Sequence, residues 1–363
     1  MLIEVKATGV GHDVRTAQTP PAPLRCIDPR RTYALYLRPR ADRLCCNPCR
    51  RNGLSPEPAH LGLPHLMLAR LPAALRGILT GLTLGLNTVL VFSLMVPAAL
   101  LKLLVPVAAV RHRCDAVLNA LASGWVAINN SWIGSVRRAR WDVQGVENLH
   151  ARGWYLVSSN HQSWVDILVL QRIFHGHIPF LKFFVKRELI WVPVIGLAWW
   201  ALDFPFLSRG RGKGGHQGDL KSTRQSCEKF KRIPTSVINF VEGTRFTAAK
   251  HATQHSPYRH LLKPKIGGLG IALATMGEQF EALLDVTIVY PHGAPRFWDL
   301  LCGRIDAVTV RVQQREIPPQ LLGSDPVGDK AYRQRISAWV EQQWTEKDRL
   351  IDSLLGLPTN AAR

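Results

Sequence analysis

The sequence predicts an α/β fold, in which a mostly parallel sheet is flanked by helices and preceded by a membrane-embedded helical hairpin. From Trp141 onward, short apolar runs typical of strands alternate with segments of helical periodicity, as in parallel sheets. Residues 77–101 contain no charged side chain and no histidine. Such a segment is long enough to cross a hydrocarbon core. Polar turns follow two of the strand-like runs, where sheets of this class bind ligands.

Residues 1–66 are predicted to be disordered. Prolines and arginines recur there, and neither a strand period nor a helix period is sustained. The cysteines at 45, 46 and 49, with His60 and His65, match no firm zinc template. A simpler hypothesis is that translation starts at Met67, so that the native protein lacks this segment.

Region 67–137 is predicted to be helical and membrane-associated. Pro97 and Pro106 would kink its apolar segment, so a re-entrant or tilted hairpin fits as well as a straight span. Residues 115–136 have apolar side chains at helical spacing and form a second predicted helix that returns along the membrane surface. Lysine and arginine are denser after the apolar segment than before it. This asymmetry places the next domain on the cytoplasmic side of the inner membrane.

Region 138–325 is the predicted α/β domain, and 326–363 is a C-terminal helix and tail. The helix is expected to be exposed and without a chemical role. The polar segment 246–263 is expected to be a lid or a disordered insertion, and the apolar segment 189–202 either core or dipping into the bilayer. The predicted strands are 141–144, 154–158, 179–185, 204–207, 236–241, 284–290 and 308–312, and the predicted helices of the domain and tail are 164–174, 220–232, 268–277 and 329–355.

His161 and Asp166 follow the predicted strand 154–158. His161 is therefore expected at the carboxyl end of a strand, where ligands bind. A neutral imidazole there can accept a proton from a hydroxyl, and a carboxylate about one helical turn further on can fold back to fix its tautomer. Taken alone, the pair is also typical of a structural histidine.

A second polar turn, Glu242-Gly243-Thr244-Arg245, follows the predicted strand 236–241. Glycine between charged residues lets the backbone turn tightly and approach a ligand. The arginine offers a planar fork of donors that suits a phosphate or a carboxylate. A surface turn with a solvated ion pair is the alternative interpretation of this tetrapeptide.

The 363-residue chain has a formal charge of +20, which attracts anionic partners. Nucleic acid is not favoured, because no RNP-type aromatic pattern or zinc-finger spacing is present. An anionic membrane fits the charge, as do a phosphomonoester lipid, coenzyme A and acyl carrier protein. The seven cysteines are an odd number, which indicates a reducing compartment rather than a disulfide framework.

These turns, in this order, resemble motifs of the glycerolipid acyltransferase family, best known for its 1-acylglycerol-3-phosphate acyltransferases. Residues 160–166 are similar to the first motif and 242–245 to the third, while 204–209 and 286–291 resemble the second and fourth. The resemblance covers 139–290. Val241 stands where the third motif commonly has proline, and Ser208 where the second often has an acidic residue. Both departures concern the identity of the acceptor more than the chemistry.

The resemblance implies roles for these residues. His161 would be the general base, oriented by Asp166, and Asn160 would shape the turn. The acceptor site would include Lys186, Arg209, Glu242, Gly243, Thr244 and Arg245. Arg245 would be the phosphate ligand, assisted by Arg209. Lys186 fits equally well as a surface lysine. The oxyanion would meet backbone N–H groups near Ser163 or a lysine such as Lys186.

The predicted function is acyl transfer at a membrane, from acyl-coenzyme A or acyl-acyl carrier protein to 1-acylglycerol 3-phosphate, giving phosphatidic acid. No metal or nucleotide cofactor is required. One alternative keeps the chemistry and changes the acceptor, for example to lysophosphatidylglycerol. Another is a basic membrane-binding protein without catalytic activity.

Overall fold

The computed structural model describes residues 71–136, 139–186, 190–192, 195–204, 206–207, 234–323 and 328–358. Two long helices come first, α1 (Ala73–Leu104) and α2 (Ala108–Val136). The strands are β1 (Arg140–Gln144), β2 (Tyr155–Ser159), β3 (Leu181–Phe183), β4 (Val185–Lys186), β5 (Phe206–Leu207), β6 (Ser236–Phe240), β7 (Ala282–Val289) and β8 (Ala307–Arg315). The other α-helices are α3 (Val165–Phe174), α4 (Ile195–Ala201), α5 (Ala248–Gln254), α6 (Gly267–Met276), α7 (Phe297–Leu301) and α8 (Lys330–Leu354). The predicted helix 220–232 lies outside the described residues, as do residues 1–66.

Among the described residues, the main sheet has six strands in the order β1-β8-β7-β2-β6-β3. Strands β7, β2, β6 and β3 are parallel. Strand β8 runs antiparallel to β7, and β1 pairs parallel with β8. The prediction of an α/β fold with a mostly parallel sheet is confirmed. Strand β2 lies between β7 and β6, so the chain leaves β2 between the ends of two neighbouring strands.

Helices cover both faces of the sheet because successive strand side chains point to opposite faces. Leu156 of β2 packs in a cluster with Leu273 of α6 and Trp344 of α8. Val157, the next residue, packs in a second cluster with Val169 and Leu170 of α3. Strand β2 is therefore buried on both sides, which accounts for its continuous apolar run.

The C-terminal helix α8 is part of the core, so the expectation of an exposed helix is wrong. Its buried side chains include Tyr332, Ile336, Val340, Trp344 and Ile351. These positions lie four or seven residues apart and therefore share one face of the helix. Charged residues on the other faces lower the mean hydropathy and obscure this stripe in the sequence.

Segment 246–263 contains helix α5 and its last residues are fixed to α8, so the expectation of a disordered insertion is wrong. Leu261 and Leu262 are fully buried. The backbone N–H groups of Arg259 and His260 each donate to the carboxylate of Asp348, at 2.8 Å. The Trp344 indole N–H donates to the Leu262 carbonyl at 3.0 Å. Polar composition had concealed these anchoring contacts.

Helices α1 and α2 form a hairpin. Asn87 Nδ2 donates to Asn129 Oδ1 at 2.7 Å, and Trp125 Nε1 donates to Thr88 Oγ1 at 3.0 Å. Pro97 lies within α1, and the helices separate around Pro106. Among the described residues, α1 is the helix long and apolar enough to cross a membrane, with a mean hydropathy of 2.0 over its most apolar window.

The described part of the apolar segment 189–202 is buried at some positions and exposed at others. Ala198, Ala201 and Leu202 pack in one cluster with residues of α1 and α2. Trp191 is 86% exposed and Trp200 37% exposed. The predicted strand 179–185 is divided in the structure into β3 and the first residue of β4.

Candidate active site

Asn160 directs the chain out of the sheet immediately after β2. Its side-chain amide donates to the Ile288 carbonyl and accepts from the Ile288 N–H, each at 2.9 Å. Ile288 belongs to the neighbouring strand β7, so the Asn160 side chain continues the ladder that the backbone of β2 leaves. Asn160 is fully buried. This arrangement places His161 at the carboxyl edge of the sheet.

His161 and Asp166 are in direct contact. His161 Nδ1 lies 2.9 Å from Asp166 Oδ2. The same oxygen accepts the backbone N–H groups of Gln162 at 2.6 Å and Ser163 at 2.8 Å. Since a carboxylate only accepts, Nδ1 carries the proton. Nε2 is then the basic nitrogen, as a general base requires.

Tyr290 completes the shell around Asp166. Its hydroxyl donates to Asp166 Oδ1 at 2.7 Å. Burial, and then the negative charge of Asp166, raise the pKa of Tyr290 well above its ordinary value. The phenol therefore stays protonated and remains a donor. The fully buried Asp166 is held by donors on both oxygens and cannot rotate away from the imidazole.

Phe240, at the end of β6, fixes the face of the His161 ring. The two rings are stacked, with centroids 3.9 Å apart and planes at 15°. His161 keeps 9% of its surface exposed. Stacking on Phe240 fixes the plane of the imidazole, and the contact with Asp166 fixes its rotation. Proton transfer requires this pre-organisation.

Glu242 lies below the site and holds its backbone. The fully buried carboxyl accepts the His161 N–H at 2.7 Å on Oε1 and the Leu262 N–H at 3.0 Å on Oε2. Burial raises the pKa of Glu242 to about 7, and these two hydrogen bonds oppose the rise. Because backbone donors occupy both oxygens, the contribution of Glu242 is to position His161.

Gly243, Thr244 and Arg245 form the turn beyond Glu242. Gly243 has φ +65°, in the left-handed region that favours glycine. Thr244 Oγ1 accepts from Lys250 Nζ at 2.7 Å. The Arg245 guanidinium is exposed and lies 4.9 Å from the centroid of the Trp164 ring, a cation–π contact.

The turn is joined directly to the histidine. The N–H of Phe246, the residue after Arg245, donates to the His161 carbonyl at 2.7 Å. Trp164 lies just before α3, which carries Asp166. A solvent-facing guanidinium therefore stands at the same edge of the sheet as the His161–Asp166 pair.

Comparison with known proteins finds a similarity over the middle of the chain. The family model described as Acyltransferase matches residues 140–291, from β1 to just beyond β7. Over these residues the chain is similar to the acyltransferase family. A 1-acyl-sn-glycerol-3-phosphate acyltransferase of Brassica oleracea is 30% identical over 218 residues, which cover 56% of this chain and 52% of the relative. The epsilon form from Mus musculus is 24% identical over 226 residues, 53% of this chain and 56% of the relative.

The chain spans about half the length of the curated relatives it matches. A solved structure, the 1-acyl-sn-glycerophosphate acyltransferase of Thermotoga maritima, is 21% identical to it. That comparison has a TM-score of 0.44 and covers 75% of this chain and 97% of the other.

Several of the groups predicted for the site are not placed there. Arg209 lies outside the described residues, and so does the side chain of Lys186 on β4. The Ser163 N–H, expected near the oxyanion, donates to Asp166 instead. Among the described residues, no group of three or more His, Cys, Asp or Glu side chains could hold a metal ion.

Three functional neighbours were not predicted from the sequence: Tyr290, Phe240 and Leu262. Tyr290 and Phe240 reach Asp166 and His161 because β7 and β6 flank β2. Leu262 reaches Glu242 from a segment that packs on α8. Tyr290 follows β7, the strand beside β2, so the sheet order would have indicated it. The sequence carries no comparable signal for Leu262, because its contribution is a backbone N–H.

Proposed function

We propose that this protein transfers a fatty acyl group from a thioester to the free hydroxyl of 1-acylglycerol 3-phosphate, forming phosphatidic acid. The thioester is acyl-coenzyme A or acyl-acyl carrier protein. The observation that carries the proposal is the pairing of His161 Nδ1 with Asp166 at 2.9 Å, which leaves Nε2 free of that bond at a strand end. The names of the relatives from Brassica oleracea and Mus musculus support the choice of acceptor.

In the proposed reaction, His161 Nε2 accepts the proton of the acceptor hydroxyl as its oxygen attacks the thioester carbonyl. Asp166 stabilises the imidazolium that forms. The tetrahedral intermediate collapses with a new C–O ester bond and a broken C–S bond. The departing thiolate takes the proton from the imidazolium, so His161 returns to its starting state. No metal or nucleotide cofactor enters this scheme.

The phosphate of the acceptor is proposed to bind at Arg245. Its guanidinium offers a fork of donors to phosphate oxygens, and stacking on Trp164 limits its motion. Arg209 and Lys186 remain proposed ligands for the same anionic substrate. Gly243 and Thr244 contribute by shaping the turn that presents Arg245.

We propose that the reaction takes place on the cytoplasmic face of an inner membrane, with α1 as the anchor. Leucines along α1, such as Leu82, Leu90 and Leu94, are more than half exposed. A row of this kind is typical of a surface in contact with lipid. The formal charge of +20 would hold the domain against an anionic bilayer.

The proposed function is tested by thiol release from acyl-coenzyme A and acyl-acyl carrier protein, using purified full-length protein and a panel of lysolipid acceptors. We expect turnover with 1-acylglycerol 3-phosphate. Turnover only with another acceptor, such as lysophosphatidylglycerol, would contradict the acceptor while keeping the chemistry. Absence of turnover with every pair, in protein that is folded, would favour a membrane-binding protein without catalytic activity.

Replacing Arg245 by alanine is expected to raise the KM for 1-acylglycerol 3-phosphate by about ten- to a hundredfold, the size of a lost charged hydrogen bond. The kcat should change much less, because Arg245 does not contact His161 Nε2 in the proposed scheme. Lys263→Ala is the matched control, since it removes an exposed cation from the following loop. Equal KM values for Arg245→Ala and the control would contradict the assignment.

A further inference from the structure

Leu262 supplies an N–H that Glu242 accepts, yet it lies in the connection 255–266 between α5 and α6, outside the helices and strands. The Leu262 N–H donates to Glu242 Oε2 at 3.0 Å. The Leu262 carbonyl accepts from the Trp344 indole N–H, also at 3.0 Å. Side chains from two distant segments therefore satisfy the two backbone groups of this fully buried residue.

The two peptide groups that flank Leu262 are held from different directions. The carbonyl of the first, which also carries the Leu262 N–H, accepts from the Ser256 hydroxyl at 2.6 Å. The second accepts from Trp344 and donates its N–H to Gln254 Oε1 at 3.3 Å. Ser256 and Gln254 are close to Leu262 in sequence, whereas Trp344 belongs to the C-terminal helix. Trp344 therefore fixes Leu262 relative to α8.

Trp344 is itself a rigid donor. Its side chain is 1% exposed and packs in the same cluster as Leu156 of β2 and Leu273 of α6. Lys347, about one helical turn further along α8, places its Nζ 5.4 Å from the centroid of the Trp344 ring. The same Nζ donates to the Val286 carbonyl of β7 at 2.5 Å. The indole N–H is therefore fixed relative to β2 and β7, the strands whose ends form the site.

The hydrogen bonds continue from Leu262 to His161. Glu242 Oε1 accepts the His161 N–H at 2.7 Å, while Oε2 accepts the Leu262 N–H. Glu242 can hold the His161 N–H in place only if its carboxylate is itself held, and Leu262 holds the second oxygen. Three successive hydrogen bonds thus join Trp344 to the backbone of His161. Helix α8 lies outside residues 140–291, which the family model matches.

We propose that Trp344 is a positioning residue for His161. Its indole N–H orients Leu262, and Leu262 in turn orients the Glu242 carboxylate. The carboxylate then holds the His161 N–H, and with it the imidazole, toward the acceptor hydroxyl. A small displacement of a general base lowers the rate even when no catalytic group is lost. This inference rests on the proposed function, because catalysis reports the position of His161.

The first test is the steady-state kinetics of acyl transfer with 1-acylglycerol 3-phosphate and acyl-coenzyme A. In Trp344→Phe, kcat should fall by about two- to tenfold, the effect of one lost neutral hydrogen bond. Both KM values should stay close to those of wild type, because no substrate group is proposed to bind α8. Trp339→Phe is the matched control, since Trp339 is a partly buried tryptophan of the same helix that packs on the same cluster. Its kcat should stay close to that of wild type.

A double-mutant cycle separates this hydrogen-bonded route from a general loss of packing. In a Glu242→Gln background, Trp344→Phe should lower kcat no further, because an amide has one oxygen for two N–H groups and the route is already broken. If Trp344→Phe does not fold, an isosteric tryptophan analogue with sulfur in place of the indole N–H carries the same test. An unchanged kcat in folded protein without this N–H, or an equal loss with and without Glu242, would overturn the proposal.

Wild-type protein without acyl transfer to any acceptor would instead contradict the proposed function. The backbone N–H of His161 then tests the role of Trp344 by itself. In nuclear magnetic resonance spectra of protein with isotope-labelled histidine, its signal is the one missing from His161→Gln. In Trp344→Phe this signal should move upfield, and its exchange with deuterium should be about two- to tenfold faster. Trp339→Phe should leave it unchanged. An unmoved signal in Trp344→Phe would overturn the role of Trp344.

Discussion

Replacing His161 by alanine is expected to lower kcat for acyl transfer by on the order of a hundredfold or more, because general-base catalysis typically contributes that factor. The imidazole is stacked on Phe240 and bonded to Asp166, so its loss removes the proton acceptor from an otherwise intact site. Thiol release at saturating acceptor and donor measures the change. Thermal unfolding of both proteins establishes that the variant is folded.

His177→Ala is the matched control for this prediction. His177 is an exposed histidine in the turn after α3 and is given no role in the reaction. Its replacement should leave kcat close to that of wild type. An undiminished kcat in folded His161→Ala would remove His161 from its proposed role, whatever the activity of the control.

Replacing Asp166 by asparagine is expected to reduce kcat to a similar degree, through the tautomer of His161. The aspartate accepts from His161, from two backbone N–H groups and from Tyr290. An asparagine has one oxygen and one NH₂ group, so it cannot accept all four donors. An NH₂ group facing His161 would favour a proton on Nε2, and Nε2 could then no longer act as the base.

The same thiol-release assay measures this loss, with Asp142→Asn as the control. Asp142 is a half-exposed aspartate of β1 that pairs with Arg311. Its amide variant should retain wild-type kcat. A folded Asp166→Asn protein with wild-type kcat would show that the orientation of His161 does not depend on the carboxylate.

The predicted fold agrees with the structure where the sequence has strong local periodicity. The predicted helix 164–174 differs from α3 by one residue at its start, and 268–277 differs from α6 by one residue at each end. The run at 154–158 corresponds to β2, whose residues are all buried. Such elements are specified by their own side chains, so one segment at a time is sufficient to predict them.

The surroundings of His161 could be predicted only in part. Asp166 lies only five residues from His161, so its side chain can fold back to the imidazole. Tyr290 and Phe240 reach the same site because β7 and β6 flank β2, and strand order is a property of the whole sheet. The sequence around Glu242 also allowed a surface turn, because a charged residue beside a glycine is typical of one. Its burial depends on Leu262 and on α8.

The C-terminal helix illustrates a second limit. An apolar stripe on a helix shows that one face is covered, but not by what. Trp344 and Lys347 acquire their roles only through contacts with Leu262 and Asp285. Nothing local to residues 330–354 indicates that a lysine on this stripe pairs with a buried aspartate of β7.

The most direct test of the central claim is the product formed from 1-acylglycerol 3-phosphate and an isotope-labelled acyl thioester, identified by mass spectrometry. Purified wild-type protein is expected to give phosphatidic acid that carries the labelled acyl chain. His161→Ala, at the same protein concentration, should give about a hundredth of that amount or less. Labelled phosphatidic acid formed equally by both proteins would contradict the role of His161. Its absence from both would contradict the proposed function.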